Sequence, residues 1–124
     1  MKEVRCPTIL EEAEKESSTA DAEEKTFILK LYIPDNLLYF NGHFDQYPIV
    51  PGVAQIGWAA FNLQRLIAKK SFNIERIEAL KFINPLYPDD ICWMELQWSA
   101  EKGKASFCLY NEKQKLTLGR FVIR

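Results

Sequence analysis

Hydrophobic and polar residues alternate along several segments of this chain of 124 residues. In residues 26–33, TFILKLYI, every second side chain is Phe, Leu or Ile, and Pro34 follows. A period of two is typical of a β-strand with one buried face. Residues 4–14 predict an earlier strand, and the polar residues 15–24 predict a loop. Segments rich in aromatic and β-branched residues predict four later strands, over residues 74–83, 91–99, 104–111 and 115–124.

One segment has a helical period instead. It begins after Pro51, and apolar residues recur in it at helical spacing: Val53, Ile56, Ala60, Leu63 and Ile67. This predicts a helix of about five turns over residues 52–70. Few polar residues precede Gln64, so we expect the helix to be enclosed rather than to lie on a surface. The order of elements predicts an α+β fold, in which an antiparallel sheet curls around one long central helix.

Length and composition restrict the class of protein. A chain of this length fits a single domain over residues 1–124, with the N-terminal strand and polar loop in residues 1–24. The net charge of -1 provides no basic surface for nucleic acid. The N-terminus has no apolar core of signal-peptide length, and no apolar run is long enough to cross a bilayer. We therefore expect a cytoplasmic protein with no membrane insertion.

Cysteine and histidine are too few for a metal site. The three cysteines, Cys6, Cys92 and Cys108, form no CxxC pair, which fits a reducing compartment, and we interpret them as buried small apolar residues. His43 is the only histidine, and no acidic cluster accompanies it. A zinc site would lack ligands. We expect neither a metal nor a cofactor.

Two motifs carry a resemblance to a known family. Residues 40–53 read FNGHFDQYPIVPGV, which combines GHF, a proline pair and a Pro-Gly helix start, and residues 79–90 read ALKFINPLYPDD. With the order of elements, these motifs resemble the hotdog fold of the (3R)-hydroxyacyl-[acyl-carrier-protein] dehydratases. The PGVAQ sequence and the tryptophan on the helix are similar to the branch associated with aryl-polyene lipid pathways. The resemblance covers about residues 25–124.

The resemblance implies roles for particular residues. His43 would be the base that removes the C2 proton, and the backbone N–H of Gly52 would polarise the thioester carbonyl. The first N–H groups of a helix have no partner inside it and lie at the positive end of its dipole, which suits that second role. Glycine also lets a substrate approach the backbone closely. Residues expected to contact substrate are Phe44, Val53, Gly57, Trp58 and Phe61.

The chain departs from the family at the second catalytic position. Gly57 stands where the family places the Asp or Glu that protonates the leaving hydroxyl, and Phe61 stands where many members carry a glutamine. General acid-base assistance contributes roughly 10²–10⁴-fold to such a reaction, so we expect slow dehydration at best. Gly57 also costs about 1 kcal/mol relative to alanine in a helix, and either close packing or a larger pocket would explain it. Asp45 and Gln55 are weak substitutes for the acid.

The resemblance implies a dehydratase-like protein of fatty-acid or polyene lipid biosynthesis. It would eliminate water from acyl thioesters, or only bind them, in a tunnel between two subunits, and the product would be a trans-2-enoyl thioester. The thioester would be carried on acyl carrier protein or coenzyme A, and the subunits would form a homodimer or a mixed dimer. Three alternatives remain: a non-catalytic acyl-binding partner subunit, a hotdog thioesterase, and a structural domain in which the GHF motif only shapes a turn.

Overall fold

The computed structural model describes residues 6–15, 24–36, 49–67 and 72–124. Six strands and one helix lie within these residues. They are β1 (Thr8–Lys15), β2 (Glu24–Tyr32), α1 (Gly52–Ile67), β3 (Ile74–Phe82), β4 (Ile91–Ser99), β5 (Lys104–Tyr110) and β6 (Lys115–Ile123). Each overlaps a segment that the sequence predicts, with bounds that differ by up to four residues for β1. Most of the predicted loop and the last predicted helical positions, 68–70, lie outside the described residues.

The strands form one antiparallel sheet in the order β1-β2-β4-β5-β6-β3. The alternating pattern determines which side chains face inward. Met94 of β4, for example, lies opposite Leu29 of β2 and Leu109 of β5, and all three are fully buried. The edge strand β3 reaches the sheet only through β6, the last strand of the chain.

The helix closes the core against the inward face of the sheet. Ala54, Trp58, Ala59 and Leu63 are its buried apolar residues, and their spacing keeps them on one side of the helix. They belong to the same hydrophobic cluster as the inward residues of β2, β4, β5 and β6. Among the described residues, no helix is long and apolar enough to span a membrane.

The opposite side of the helix is open in this chain. Val53 is 78% exposed, Phe61 is 60% exposed, and Gly57 lies exposed between them. These residues are spaced by four and share one face, which we call the outer stripe. Within the described residues, the expected enclosure of the helix is therefore wrong, because the six strands described cover only its inner face. An apolar stripe of this kind is typical of a surface that another molecule covers.

A β-bulge distorts the edge strand β3. Its pairing with β6 shifts between Glu78 and Lys81, and Ala79 within the shift has a φ of 52°. Opposite the bulge, a Cβ on Gly119 would lie 2.7 Å from the Cζ atom of Phe107, so glycine is required for the ring to pack there. A bulge generally bends the strand that carries it, and this one lies just before Phe82 at the end of β3.

Candidate functional site

An open groove of about 320 Å³ lies at the start of α1. Residues 49–52 and Gln55 line one side, and residues 82–85 line the other. The Val50 amide donates to the Leu86 carbonyl oxygen at 2.8 Å, which joins the two sides. The Ile83 amide donates to the Leu116 carbonyl oxygen of β6 at 2.8 Å. The groove is thus built from two segments that backbone hydrogen bonds hold together.

Helix α1 presents backbone N–H groups at this groove. The amides of Ala54 and Gln55 both donate to the Pro51 carbonyl oxygen, at 3.1 and 3.3 Å. The amides of Gly52 and Val53 precede these bonds and have no acceptor inside the helix. They also lie at the positive end of the helix dipole. This is the arrangement that stabilises a developing negative charge on a carbonyl oxygen.

Gly52 is required here by a neighbouring ring. A Cβ on Gly52 would lie 2.7 and 2.9 Å from the Cε1 and Cε2 atoms of Phe82, and closer still to Cζ. No side chain fits in that space while the ring stays in place. The sequence suggested that glycine serves the close approach of a substrate. The structure adds a second reason, because the absence of a Cβ makes room for Phe82.

A buried polar network fixes the first turn of the helix. Gln55 is 3% exposed, and its Nε2 atom donates to the Val50 carbonyl oxygen at 3.2 Å. Its Oε1 atom accepts a hydrogen bond from the hydroxyl of Thr117 on β6, which is fully buried. Gln55 therefore lies on the buried side of the helix, away from the exposed Gly57, which fits its description as a weak substitute for the acid. The partner Thr117 was missed, although a polar residue on the buried face of a helix indicates that a buried partner exists.

The residues proposed to contact substrate are divided between two faces of the helix. Val53, Gly57 and Phe61 form the outer stripe, whereas Trp58 is 4% exposed and faces the core. No described atom lies within 4 Å of the place where a Cβ of Gly57 would stand. Of the two explanations for Gly57, close packing is therefore not supported by the described residues. An acidic side chain would fit at this position without a steric conflict among them.

Three residues of the GHF region lie outside the described residues: His43, Phe44 and Asp45. The catalytic role of His43 and the substrate contact of Phe44 therefore stay predictions. The described part of the motif is its C-terminal end, residues 49–53, which leads into the helix. Residues 49–52 of this segment line one side of the groove.

Among the residues that the structure describes, the ionisable groups with shifted pKa values lie outside the lining of the groove. A hydrogen bond from Arg65 lowers the pKa of Glu12 and raises that of Arg65 itself. The hydroxyl of Tyr32 donates to Asp89, and this bond raises the pKa of Tyr32. Burial raises the pKa of Cys92 to about 12. The three cysteines are free thiols, and the expectation that all are buried is confirmed only for Cys92, because Cys6 is exposed and Cys108 is only partly buried.

Comparison with protein families identifies residues 18–120 as ApeI-like, a family described as the ApeI dehydratase. An uncharacterized protein from Erwinia carotovora subsp. atroseptica is structurally similar, with a TM-score of 0.82, 26% identity and 96% of each chain covered. The dehydratase heterocomplex ApeI:P from Xenorhabdus doucetiae is also similar, with a TM-score of 0.80, 27% identity and 95% and 97% of the two chains covered. The comparison with curated proteins gave no match.

The curled six-stranded antiparallel sheet with its single described helix is a hotdog fold, as the sequence predicted. Its class is that of the dehydratase-like hotdog proteins. The chain belongs to the ApeI-like dehydratase family, whose match extends over most of its length.

Proposed function

We propose that this chain is a 3-hydroxyacyl thioester dehydratase subunit of fatty-acid or polyene lipid biosynthesis in the cytoplasm. Its substrate is carried on acyl carrier protein or coenzyme A and binds in the groove at the start of α1. One observation carries the proposal: Gly52, the first residue of the helix, lines this groove, and its amide precedes the helical hydrogen bonds and has no acceptor inside the helix. Membership of the dehydratase family supports the same chemistry.

The reaction follows from these groups. His43 removes the proton at C2, and the Gly52 amide stabilises the negative charge that develops on the thioester oxygen. The electron pair then forms the C2–C3 double bond and expels the C3 hydroxyl, which leaves as water after it gains a proton. The products are a trans-2-enoyl thioester and water. Because Gly57 has no carboxylate, the proton for the leaving hydroxyl comes from a group other than this position.

A second hotdog subunit is part of the proposal. The outer stripe leaves Val53 and Phe61 open to solvent beside the groove, and covering them would remove apolar surface from water. The similar structure from Xenorhabdus doucetiae is a dehydratase heterocomplex. We propose that another hotdog chain covers the outer stripe here, as a second copy or as a related subunit. In a mixed pair, the related subunit supplies the acid.

The alternative is an acyl-binding subunit without activity of its own. Gly57 favours this alternative, since it removes the acid while the groove and the helix amides remain. Such a subunit would bind thioesters and leave the elimination to its partner. A thioesterase is disfavoured by the same glycine, because hotdog thioesterases usually activate water with a carboxylate on this helix, and Gly57 has none.

Turnover of 3-hydroxyacyl thioesters on a carrier protein tests these possibilities, with enoyl formation followed by mass spectrometry. The proteins compared are the native chain, His43→Ala and Gly57→Asp. If the native chain is active and His43→Ala is inactive, the dehydratase proposal stands. If only Gly57→Asp is active, the chain is an acyl-binding subunit. If none of the three proteins converts or binds a thioester, both proposals fail.

A further inference from the structure

The ring of Phe82 stands over the first residue of helix α1. It occupies the space that a Cβ of Gly52 would need, with two of its atoms 2.7 and 2.9 Å from that position. Phe82 lines the groove, and the residue as a whole is 52% exposed. An exposed aromatic ring thus forms the wall of the groove at the point where a carbonyl oxygen would reach the Gly52 amide.

The backbone that carries this ring is bound to β6, and β6 is in turn bound to the start of the helix. Phe82 lies opposite Thr117 in the β3–β6 pairing, and the Thr117 hydroxyl donates to Gln55 in the first turn of α1. The next residue, Ile83, donates to β6 at 2.8 Å. Any movement of the Phe82 backbone relative to Gly52 would therefore break bonds on both sides of the groove. The wall is part of the folded framework.

We propose that Phe82 determines which acyl chains reach the amides of Gly52 and Val53. This inference rests on the proposed function. The carbon next to the thioester carbonyl must pass the edge of the ring, so a straight chain packs against it and a methyl branch at C2 collides with it. A single added methyl group in an apolar pocket changes selectivity by about 10- to 200-fold. We expect a preference for unbranched 3-hydroxyacyl chains at the low end of that range.

The contact itself is tested by a double-mutant cycle on stability, which needs no substrate. Gly52→Ala in the native chain forces the new methyl group against the ring, and we expect a lower denaturant midpoint. In the Phe82→Ala background the same substitution meets open space and should leave the midpoint unchanged or raise it. An equal loss in both backgrounds would show that the ring does not rest on Gly52, and would overturn the inference.

Selectivity is tested by binding of two probes, the straight and the 2-methyl-branched 3-hydroxyacyl pantetheine thioesters of the same chain length. The native chain should bind the straight probe about tenfold more tightly. Phe82→Ala should bring the two affinities close together. Tyr87→Ala is the matched control, because Tyr87 is another exposed aromatic residue, 44% accessible, that does not line this groove. This control should keep the native preference.

The outcomes distinguish the role of Phe82 from the proposed function. An unchanged ratio in Phe82→Ala, with both probes bound, overturns the role of Phe82 and leaves the proposed function intact. Absence of binding by the native chain overturns the proposed function, and the selectivity role with it, whatever the stability cycle shows. If Phe82→Ala does not fold, Phe82→Leu replaces it in both tests, with a smaller change expected in the same direction.

Discussion

The two ends of helix α1 are attached to the sheet in different ways. At the N-terminal end, Gln55 and Thr117 form a neutral hydrogen bond in a buried site. At the C-terminal end, Arg65 forms an ion pair with Glu12 of β1, and both side chains are more than a third exposed. A buried hydrogen bond is costly to break, because the group that remains cannot form a hydrogen bond with water instead. An exposed ion pair contributes little to the free energy of unfolding. The groove lies at the strongly held end.

The largest effect is expected from Thr117→Val. This substitution keeps the shape of the side chain but leaves the Oε1 atom of Gln55 without its donor in the core. We expect the free energy of unfolding to fall by about 1–3 kcal/mol, the cost of a buried unsatisfied polar group. Denaturant titration measures this loss.

Replacing both partners sharpens the same test. In Gln55→Met with Thr117→Val, no amide oxygen is left without a donor, so we expect a smaller loss than the sum of the two single losses. Simple additivity would mean that the hydrogen bond contributes nothing to the attachment of the helix start. The contrast between the two ends of α1 would then disappear.

An intermediate effect is expected from Asn62→Leu, halfway to the exposed end. The Nδ2 atom of Asn62 donates to the Trp58 carbonyl oxygen at 2.8 Å, and its Oδ1 atom accepts from Arg65 at 3.0 Å. Asn62 is 4% exposed, so the substitution removes two hydrogen bonds from a buried position. The apolar side chain of leucine suits such a position, which limits the loss. We expect a loss of about 1 kcal/mol. Gln64→Leu, on the exposed side of the same turn, is the control and should change the free energy of unfolding by less than about 0.5 kcal/mol.

The smallest effect is expected from Glu12→Gln. The ion pair with Arg65 lowers the pKa of Glu12, so its contribution is present above the ordinary glutamate pKa and is lost as the pH falls through the lowered value. Because the pair is exposed, we expect a difference of about 0.5 kcal/mol near neutral pH and none in acid. Unfolding of both proteins between about pH 3 and pH 7, a range that brackets the glutamate pKa, measures it. A difference that grew in acid would contradict the assignment.

The sequence predicted the elements well and their long-range contacts poorly. Alternation in β2 and β4 requires only local information, because it states which side chains share a face. The pairing of β3 with β6 joins segments far apart in the chain, and no local pattern encodes it. Thr117 was overlooked for the same reason, since its partner Gln55 lies 62 residues away.

Of the candidate site, the Pro-Gly start of the helix was predicted, and the structure places it beside a groove. The roles of His43 and Gly52 stay predictions. The wall formed by Phe82 depends on the bulge at Ala79, which sets where β3 ends relative to the helix. The exposure of the outer stripe was not predicted. The sequence of an apolar helix has the same pattern whether its own sheet or another chain covers it.

Gly57 also has a consequence for how such a protein evolves. Every glycine codon becomes a codon for aspartate or glutamate when its second base changes from G to A. At Gly57 no described atom opposes the side chain that this change would add. A subunit without the acid and a subunit with it are therefore separated by a single mutation. Two copies of one gene can divide the roles of acyl binding and proton donation in a single step, and the division can be reversed as easily.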